Sequence, residues 1–249
     1  MRGLLPRATL GAGAILRWHL VGHWLKSLGP MTPRRVLDAG CGRGEYVVRI
    51  AREFPGTALV VGVDRVGRDG MAGFAAVPSE LASRVVLREV AFSRAAVEDV
   101  APFDALLCID VLEHVADDAR FLEDLAAVVR PGGRGLLHVP ATPQRHPLAW
   151  TRRELNRMLA EGSGQHVREG YSLPAISARL RETGWLVRRA RATFGRIAAW
   201  WCDADFYLAA RRAHLARAAA LPLTVAGALL GRAVGPRDGN GWLLLIEHR

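Results

Sequence analysis

Seven residues, Asp38-Ala39-Gly40-Cys41-Gly42-Arg43-Gly44, limit what this chain can fold into more than any others. They follow Val36-Leu37 and precede Glu45, after which Tyr46-Val47-Val48 and Ile50-Ala51 form one apolar side of a helix. A strand therefore ends on a carboxylate, turns through glycines and enters a helix. Glycines at 40, 42 and 44 let the backbone turn sharply and approach a ligand that side chains would exclude. The free N–H groups at the start of the helix then point at that ligand. A dinucleotide fingerprint requires Gly-x-Gly-x-x-Gly, whereas here the third glycine comes one residue early and Glu45 takes its place. Asp38, two residues before the first glycine, suits a ligand carrying an ammonium group better than a pyrophosphate.

Strand and helix signals alternate from this point. The spacing predicts a strand over 34–38, a helix over 44–53, a strand over 59–63 ending at Asp64, and a helix over 67–82. A third strand starts at 84–88, and a fourth spans 104–109 and ends at Asp110. Asp117 or Asp118 caps the next helix, whose apolar face is Phe121, Leu122, Leu125, Val128 and Val129. Arg130-Pro131-Gly132-Gly133 stops that helix, and 135–139 is a fifth strand. Such alternation argues for an α/β fold with a doubly wound, mostly parallel sheet. Ligands of these sheets sit beyond the carboxyl ends of the strands, where Asp38, Asp64 and Asp110 all fall.

The chain has 249 residues, which fits one domain, 1–249. An amphipathic N-terminal helix over 14–30 carries Ile15, Trp18, Val21, Leu25 and Leu28, and Gly29-Pro30 stops it. After Pro140 the regularity weakens. Segment 141–184, with helices at 151–160 and 174–183, is long enough to be a lid or binding segment. A strand opens at Trp185-Leu186-Val187, residues 195–240 form an apolar, basic helical insertion, and 241–247 is the last strand.

The net charge of +10 is unevenly placed, with 18 Lys+Arg against 16 Asp+Glu in residues 1–150 and 16 against 8 in 151–249. The part that carries the glycine loop is thus nearly neutral. Lys26 is the only lysine, so the positive charge is almost all arginine. A basic tail suits RNA, an anionic membrane surface or an acidic substrate, and charge alone does not choose. Cys41, Cys108 and Cys202 lack metal-type spacing and read as reduced thiols of a cytoplasmic protein. The opening Met1-Arg2-Gly3-Leu4-Leu5-Pro6-Arg7 has no continuous apolar run of the kind a signal peptide needs.

Four stretches, in order, now carry a resemblance: Val36 to Gly44, Gly62-Val63-Asp64, Phe103-Asp104 through Leu112-Glu113-His114-Val115, and Leu125 through Gly133. Together they resemble the class I S-adenosylmethionine-dependent methyltransferases of the small-molecule type 11 group. The resemblance covers residues 34–140, the expected S-adenosylmethionine-binding core. It implies a Rossmann-like fold with seven strands and S-adenosyl-L-methionine as cofactor, with no metal. It places Asp38 on the ammonium of the methionine part, directly or through water. It makes Gly40, Cys41, Gly42 and Gly44 the floor under methionine and ribose. Asp64 would accept both ribose hydroxyls, Arg65 would flank adenine, and Ile109 and Asp110 would lie near the transferred methyl. One departure stands out. The loop after strand three has Arg94 or Ala95 where the family commonly holds an acid for the adenine amino group. That contact falls to the backbone of Ala96 or Val97, or to the later acids Glu98 and Asp99.

Methyl transfer needs a base only where the nucleophile must lose a proton. His114, four residues beyond Asp110, is the candidate; fixing the loop after strand four is the competing role. His166 and Tyr171 would line an acceptor pocket or pack and cap. No Pro-Pro-aromatic tetrad follows strand four and no Pro-Cys pair occurs, which argues against methylation of nucleic-acid bases at exocyclic amines or at C5. The uncharged run between Arg217 and Arg232 has 14 residues, short of the ~18–20 that span a bilayer. With Trp200, Trp201, Phe206 and Tyr207 nearby, it fits a membrane-interface helix, an active-site cap, or a buried helical hairpin or dimer surface. The expectation is a methyltransferase acting on a small, apolar or lipid-linked acceptor, with O-methylation ahead of N or C. The competing expectations are an RNA methyltransferase, a non-catalytic scaffold and an NAD-dependent dehydrogenase.

Overall fold

The computed structural model describes residues 11–28, 34–65, 73–160, 166–233 and 239–249. Helix α1 (Ala12–Leu25) opens it and ends on a 3-10 turn at Lys26–Leu28. Then come β1 (Arg35–Ala39), α2 (Glu45–Glu53), β2 (Leu59–Asp64), β3 (Val85–Glu89), β4 (Phe103–Ile109), α3 (Asp118–Val128) and β5 (Val129–Pro140). Helices α4 (Ala149–Ala160) and α5 (Leu173–Glu182) precede β6 (Trp185–Thr193). Helices α6 (Arg196–Ala210) and α7 (His214–Ala233) precede β7 (Gly241–His248). The chain divides into two compact units. One holds residues 25–139, 174–190 and 244–249; the other holds the residues up to 24, 140–173 and 191–243.

The first unit is built on the sheet, whose strand order is β3-β2-β1-β4-β5-β7-β6. Strand β1 pairs in parallel with β2 and β4, β2 with β3, and β4 with β5. The whole sheet is mostly parallel with one antiparallel hairpin. Val36, Leu37, Val60, Val61, Leu106 and Leu107 are all fully buried. Strands covered on both faces have no wet side, which is why they read as continuous apolar runs and do not alternate. Asp117 is the cap of α3, its carboxylate accepting the Arg120 N–H at 3.0 Å, while Asp118 pairs with Arg179 at 3.3 Å. The buried Trp185 donates its indole N–H to the Leu122 carbonyl at 3.1 Å, tying β6 to α3.

Two expected elements differ. The helix expected over 67–82 falls partly on 67–72, outside the described residues; from 73 onward only Ser79–Leu81 turns, as one 3-10 turn. Gly73 and Pro78 break the backbone there. Strand β5 begins at Val129, six residues before the expected start. Phe103 pairs with Val129 but Ala105 with Arg134, so Arg130–Gly133 bulges out of a continuous strand with Gly132 at φ +76°.

In the second unit α6 and α7 form a hairpin. Gly227 and Gly231 let them close: a Cβ at Gly227 would lie 2.2 Å from the Trp201 ring, and one at Gly231 2.6 Å from the Ala198 nitrogen. Buried Asp205 on α6 accepts the Ala12 N–H and both Nε and Nη2 of Arg217, joining α1, α6 and α7. Helices are thus present within the segment 195–240 expected to be helical, with 234–238 outside the described residues. Among its described side chains, one side of α7 is buried. Thr224, Gly227, Ala228 and Gly231 turn inward, while Leu215, Leu223 and Leu230 are 89%, 61% and 66% exposed.

Candidate active site

Strand order explains why the three acids matter. Strand β1 lies between β2 and β4, and the chain direction of sheet growth reverses between β1 and β4, where α/β sheets bind ligands. Asp38 pairs in register with Gly62 on one side and Leu107 on the other, so the ends of β1, β2 and β4 lie side by side. The structure brings together Asp38, the glycine loop, Asp64, Ile109 and Asp110, as expected.

The loop after β1 is held by its neighbour. The Gly40 and Cys41 amides both donate to the Val63 carbonyl, at 2.8 and 3.1 Å, and the Gly42 amide donates to Asp64 Oδ2 at 2.7 Å. Gly40, Gly42 and Gly44 sit at φ +78°, +56° and +84°, the left-handed region that glycine enters freely. Close approach adds a second reason at Gly40, where a Cβ would lie 2.3 Å from a Val111 methyl. Gly42 is different: a Cβ there would meet nothing within 4 Å. Its outer face is open backbone. Gly44 is the cap of α2 and supplies no side chain to it, so the first amides of that helix keep their donors.

Asp38 is 1% exposed, and its Oδ2 is buried without a hydrogen-bond partner. Burial, and then the neighbouring Asp64 charge, push its carboxyl up to about 8. An orphaned buried carboxylate oxygen beside an open glycine floor fits a ligand with a cationic group and a ribose. Cys41 is buried, and burial followed by the Asp38 and Asp64 charges drives its thiol far above the ordinary range. It lines the site and stays protonated.

At the end of β4, Asp110 takes φ +53°, rare for a residue with a side chain. Its N–H donates to the His138 carbonyl at 3.0 Å and its Oδ1 meets His138 Nδ1 in a short hydrogen bond. His138, 3% exposed on β5, is the partner that sequence reasoning missed. The signal was a single polar residue inside the apolar run Leu136-Leu137-His138-Val139. His114 ends a 3-10 turn at Leu112–His114 and is exposed. Arg65 is exposed just after β2.

The adenine-side loop is closed on itself. Arg88 makes two 2.6 Å hydrogen bonds to Asp99 and a third to the Ala96 carbonyl. The Ala96 and Val97 amides donate to Ser93 and Arg94 within a 3-10 turn. Asp99 is thus committed to Arg88, and Glu98 is the exposed acid that remains among the later two.

Residues 16–190 match the family described as methyltransferase domain. The chain belongs to that family. It is a class I S-adenosylmethionine-dependent methyltransferase, and S-adenosylmethionine is its cofactor. Among curated relatives, a ubiquinone biosynthesis O-methyltransferase of Paracidovorax citrulli is 34% identical over 110 residues, 44% of this chain and 45% of the relative. One from Aeromonas salmonicida is 28% identical over 166 residues, 65% of this chain and 66% of the relative. The chain spans about half the length of the first relatives it matches. Among solved structures, the Mycobacterium tuberculosis cyclopropane synthase MmaA2 superposes with a TM-score of 0.61 at 17% identity, covering 93% of this chain and 84% of that one. The Haemonchus contortus phosphoethanolamine N-methyltransferase 2, with S-adenosylmethionine, gives 0.58 at 20% identity, covering 93% and 52%. These two show that this methyltransferase shares their fold.

Proposed function

We propose that this methyltransferase methylates an oxygen of a small, apolar or lipid-linked acceptor and works at the surface of a membrane. The relatives named as O-methyltransferases, at 28–34% identity, carry the choice of oxygen. The apolar acceptor and the membrane surface are supported by exposed Ile197, Trp200 and Phe206 on α6 and exposed Leu215, Leu223 and Leu230 on α7.

Bound S-adenosylmethionine supplies a methyl group made electrophilic by its sulfonium. The residues of this chain hold and align. The ionised Asp38 carboxylate takes the ammonium, using the oxygen that has no protein partner. Asp64 takes ribose hydroxyls while Oδ2 keeps the Gly42 amide in place. The open face of Gly42 lets the cofactor lie on backbone, and Arg65 and Ala96 flank the adenine. Ile109 and Asp110 border the methyl, with Asp110 fixed by His138. Alignment and exclusion of water supply most of what such a reaction asks of a protein. His114 would accept the proton of the acceptor hydroxyl.

The test offers the enzyme S-adenosylmethionine with a phenol bearing a long apolar chain, the matching aniline, and a short-chain phenol. The product is located by mass spectrometry. Methyl on the oxygen of the long-chain phenol supports the reading; methyl on nitrogen, or equal use of the short-chain phenol, overturns it. His114→Ala should lower kcat about 100-fold at the pH optimum with S-adenosylhomocysteine affinity unchanged. Unchanged kcat removes His114 as base.

A further inference from the structure

The second unit carries a cleft of about 600 Å³ between the 143–147 loop, the start of α4, the start of α6 and residues 239–240. Its size lies in the range of small-molecule sites. Three arginines line it, Arg145, Arg152 and Arg196, and among the described residues no carboxylate side chain does. Arg152 and Arg196 have no carboxylate partner among the described residues. Arg196 is also the first residue of α6, after Gly195, which provides no capping side chain. The positive end of that helix adds to the same field.

Two described acids close to this cleft, Glu169 and Asp203, are spent on building it. Glu169 accepts the Thr142 hydroxyl at 2.7 Å and the Gln144 amide at 3.0 Å. Buried Asp203 bonds His146 Nδ1 at 3.0 Å and accepts the Leu148 amide at 3.2 Å. The Asn240 side chain accepts the Arg145 N–H at 2.7 Å and donates to the Arg145 carbonyl at 2.8 Å. Three separate anchors thus pin one seven-residue loop, 142–148, whose own guanidinium side chain lines the cleft. A preorganised positive cleft binds an anion without first ordering its walls.

A second cleft, of about 350 Å³, adjoins it, sharing Pro147 and Arg196. Its other walls are Ile197, Trp200 and Trp201. The charge ends where the aromatic surface begins. We propose that the two clefts form one binding site for an amphiphile with a phosphate-type head, held by Arg145, Arg152 and Arg196, and an apolar chain lying on Ile197 and Trp200. This site stands on the geometry of its own unit and needs no part of the methyl-transfer reading.

Dodecyl phosphate, kept below its micellar concentration, is the probe, and calorimetric titration of the full chain is the measurement. Dodecyl phosphate should bind at least tenfold more tightly than dodecanol or inorganic phosphate. Arg152→Ala and Arg196→Ala should each weaken it about tenfold, and Trp200→Ala should weaken it while leaving inorganic phosphate unchanged. Melting curves and S-adenosylhomocysteine affinity should stay at wild-type values in all three, because these side chains are exposed. Equal binding of dodecanol, or binding indifferent to both arginine changes, overturns the site. Phosphatidylglycerol vesicles that displace the probe identify a lipid headgroup as the source of the phosphate; vesicles that leave it bound identify a soluble ester. A failure of the methyltransferase reading would show separately, as absent S-adenosylhomocysteine binding with the dodecyl phosphate response intact.

Discussion

The Gly42 amide donates to Oδ2 of Asp64 across 2.7 Å, so the acid that ends β2 holds the glycine loop that follows β1. In the proposed reading that carboxylate has two duties: it shapes the floor of the cofactor site and presents its second oxygen to a ribose. Charge-assisted hydrogen bonds of this kind contribute about 2 kcal/mol when a partner would otherwise be left unpaired.

Two substitutions at Asp64 separate the duties. Asp64→Asn keeps an oxygen for the Gly42 amide and loses the charge, while Asp64→Ala loses both. Asp64→Ala should lower S-adenosylhomocysteine affinity by more than tenfold and stability by about 2 kcal/mol. Asp64→Asn should lose affinity but little stability. Calorimetric titration and thermal melts read the two effects, and equal stability losses would show that the carboxylate does not hold the loop.

The ammonium contact proposed for Asp38 makes binding depend on pH. Its carboxyl is pushed up to about 8 by burial and then by Asp64, yet it must be ionised to receive an ammonium. Affinity for S-adenosylhomocysteine should therefore rise with pH, by up to about tenfold per unit, and level off above about 8. Stability of the protein alone runs the other way. Because the folded state holds the proton more tightly than the unfolded chain, Asp38 lowers stability progressively from about 4 to about 8. Asp38→Asn should therefore melt about 5 °C above wild type at pH 8, with the gap closing toward pH 4. It should also bind weakly at every pH. A wild-type affinity that is flat between pH 6 and 8 would refute the assignment.

The sheet and the cofactor end of the site were legible because the signals are local. Buried parallel strands appear as apolar runs, and a glycine-rich turn ending on Asp38 needs no tertiary information to recognise. What escaped depended on distant partners. The Asp110–His138 pair joins residues 28 apart in sequence, on β4 and β5, and neither residue announces the other. Asp99 read as free to meet adenine until Arg88, on β3, claimed it. The 142–148 loop shows no regular pattern in the sequence, because Glu169, Asp203 and Asn240, which pin it, lie 25 to 95 residues away. The described part of segment 67–82, from 73 onward, departs from the expected helix for the opposite reason: helix formers there are outweighed by Gly73 and Pro78.

The glycines of the loop should differ in what their replacement does. Gly40→Ala places a methyl 2.3 Å from Val111 at φ +78°, and should cost about 3 kcal/mol. Gly42→Ala meets nothing within 4 Å and carries the left-handed backbone strain alone, about 1 kcal/mol. Its methyl would stand on the open floor. Gly42→Ala should therefore fold and yet bind S-adenosylhomocysteine at least tenfold more weakly, by melts and titration. Wild-type affinity in this variant would mean that the cofactor does not lie over Gly42.

Helix α7 gives the last prediction. Leu223 and Leu230 follow Leu215 by 8 and 15 residues, which at 100° per residue places all three within about 80° of one another. That stripe is exposed, and exposed Arg211, Arg212 and His214 lie at its start. An apolar helix face with a basic end suits a helix lying in the interface of an anionic membrane. Each leucine transferred from water into that interface contributes about 1.5–3 kcal/mol when fully buried. Changing all three to Ser should abolish co-sedimentation with phosphatidylglycerol vesicles and shift the melting temperature little, since none of the three is packed. High salt should weaken wild-type binding by screening the arginines. A wild type that ignores the vesicles, or a triple variant that still sediments with them, would assign the stripe to something other than a membrane. Light scattering then decides the alternative: a wild-type dimer that the triple variant converts to monomer makes α7 a face between two copies of the chain.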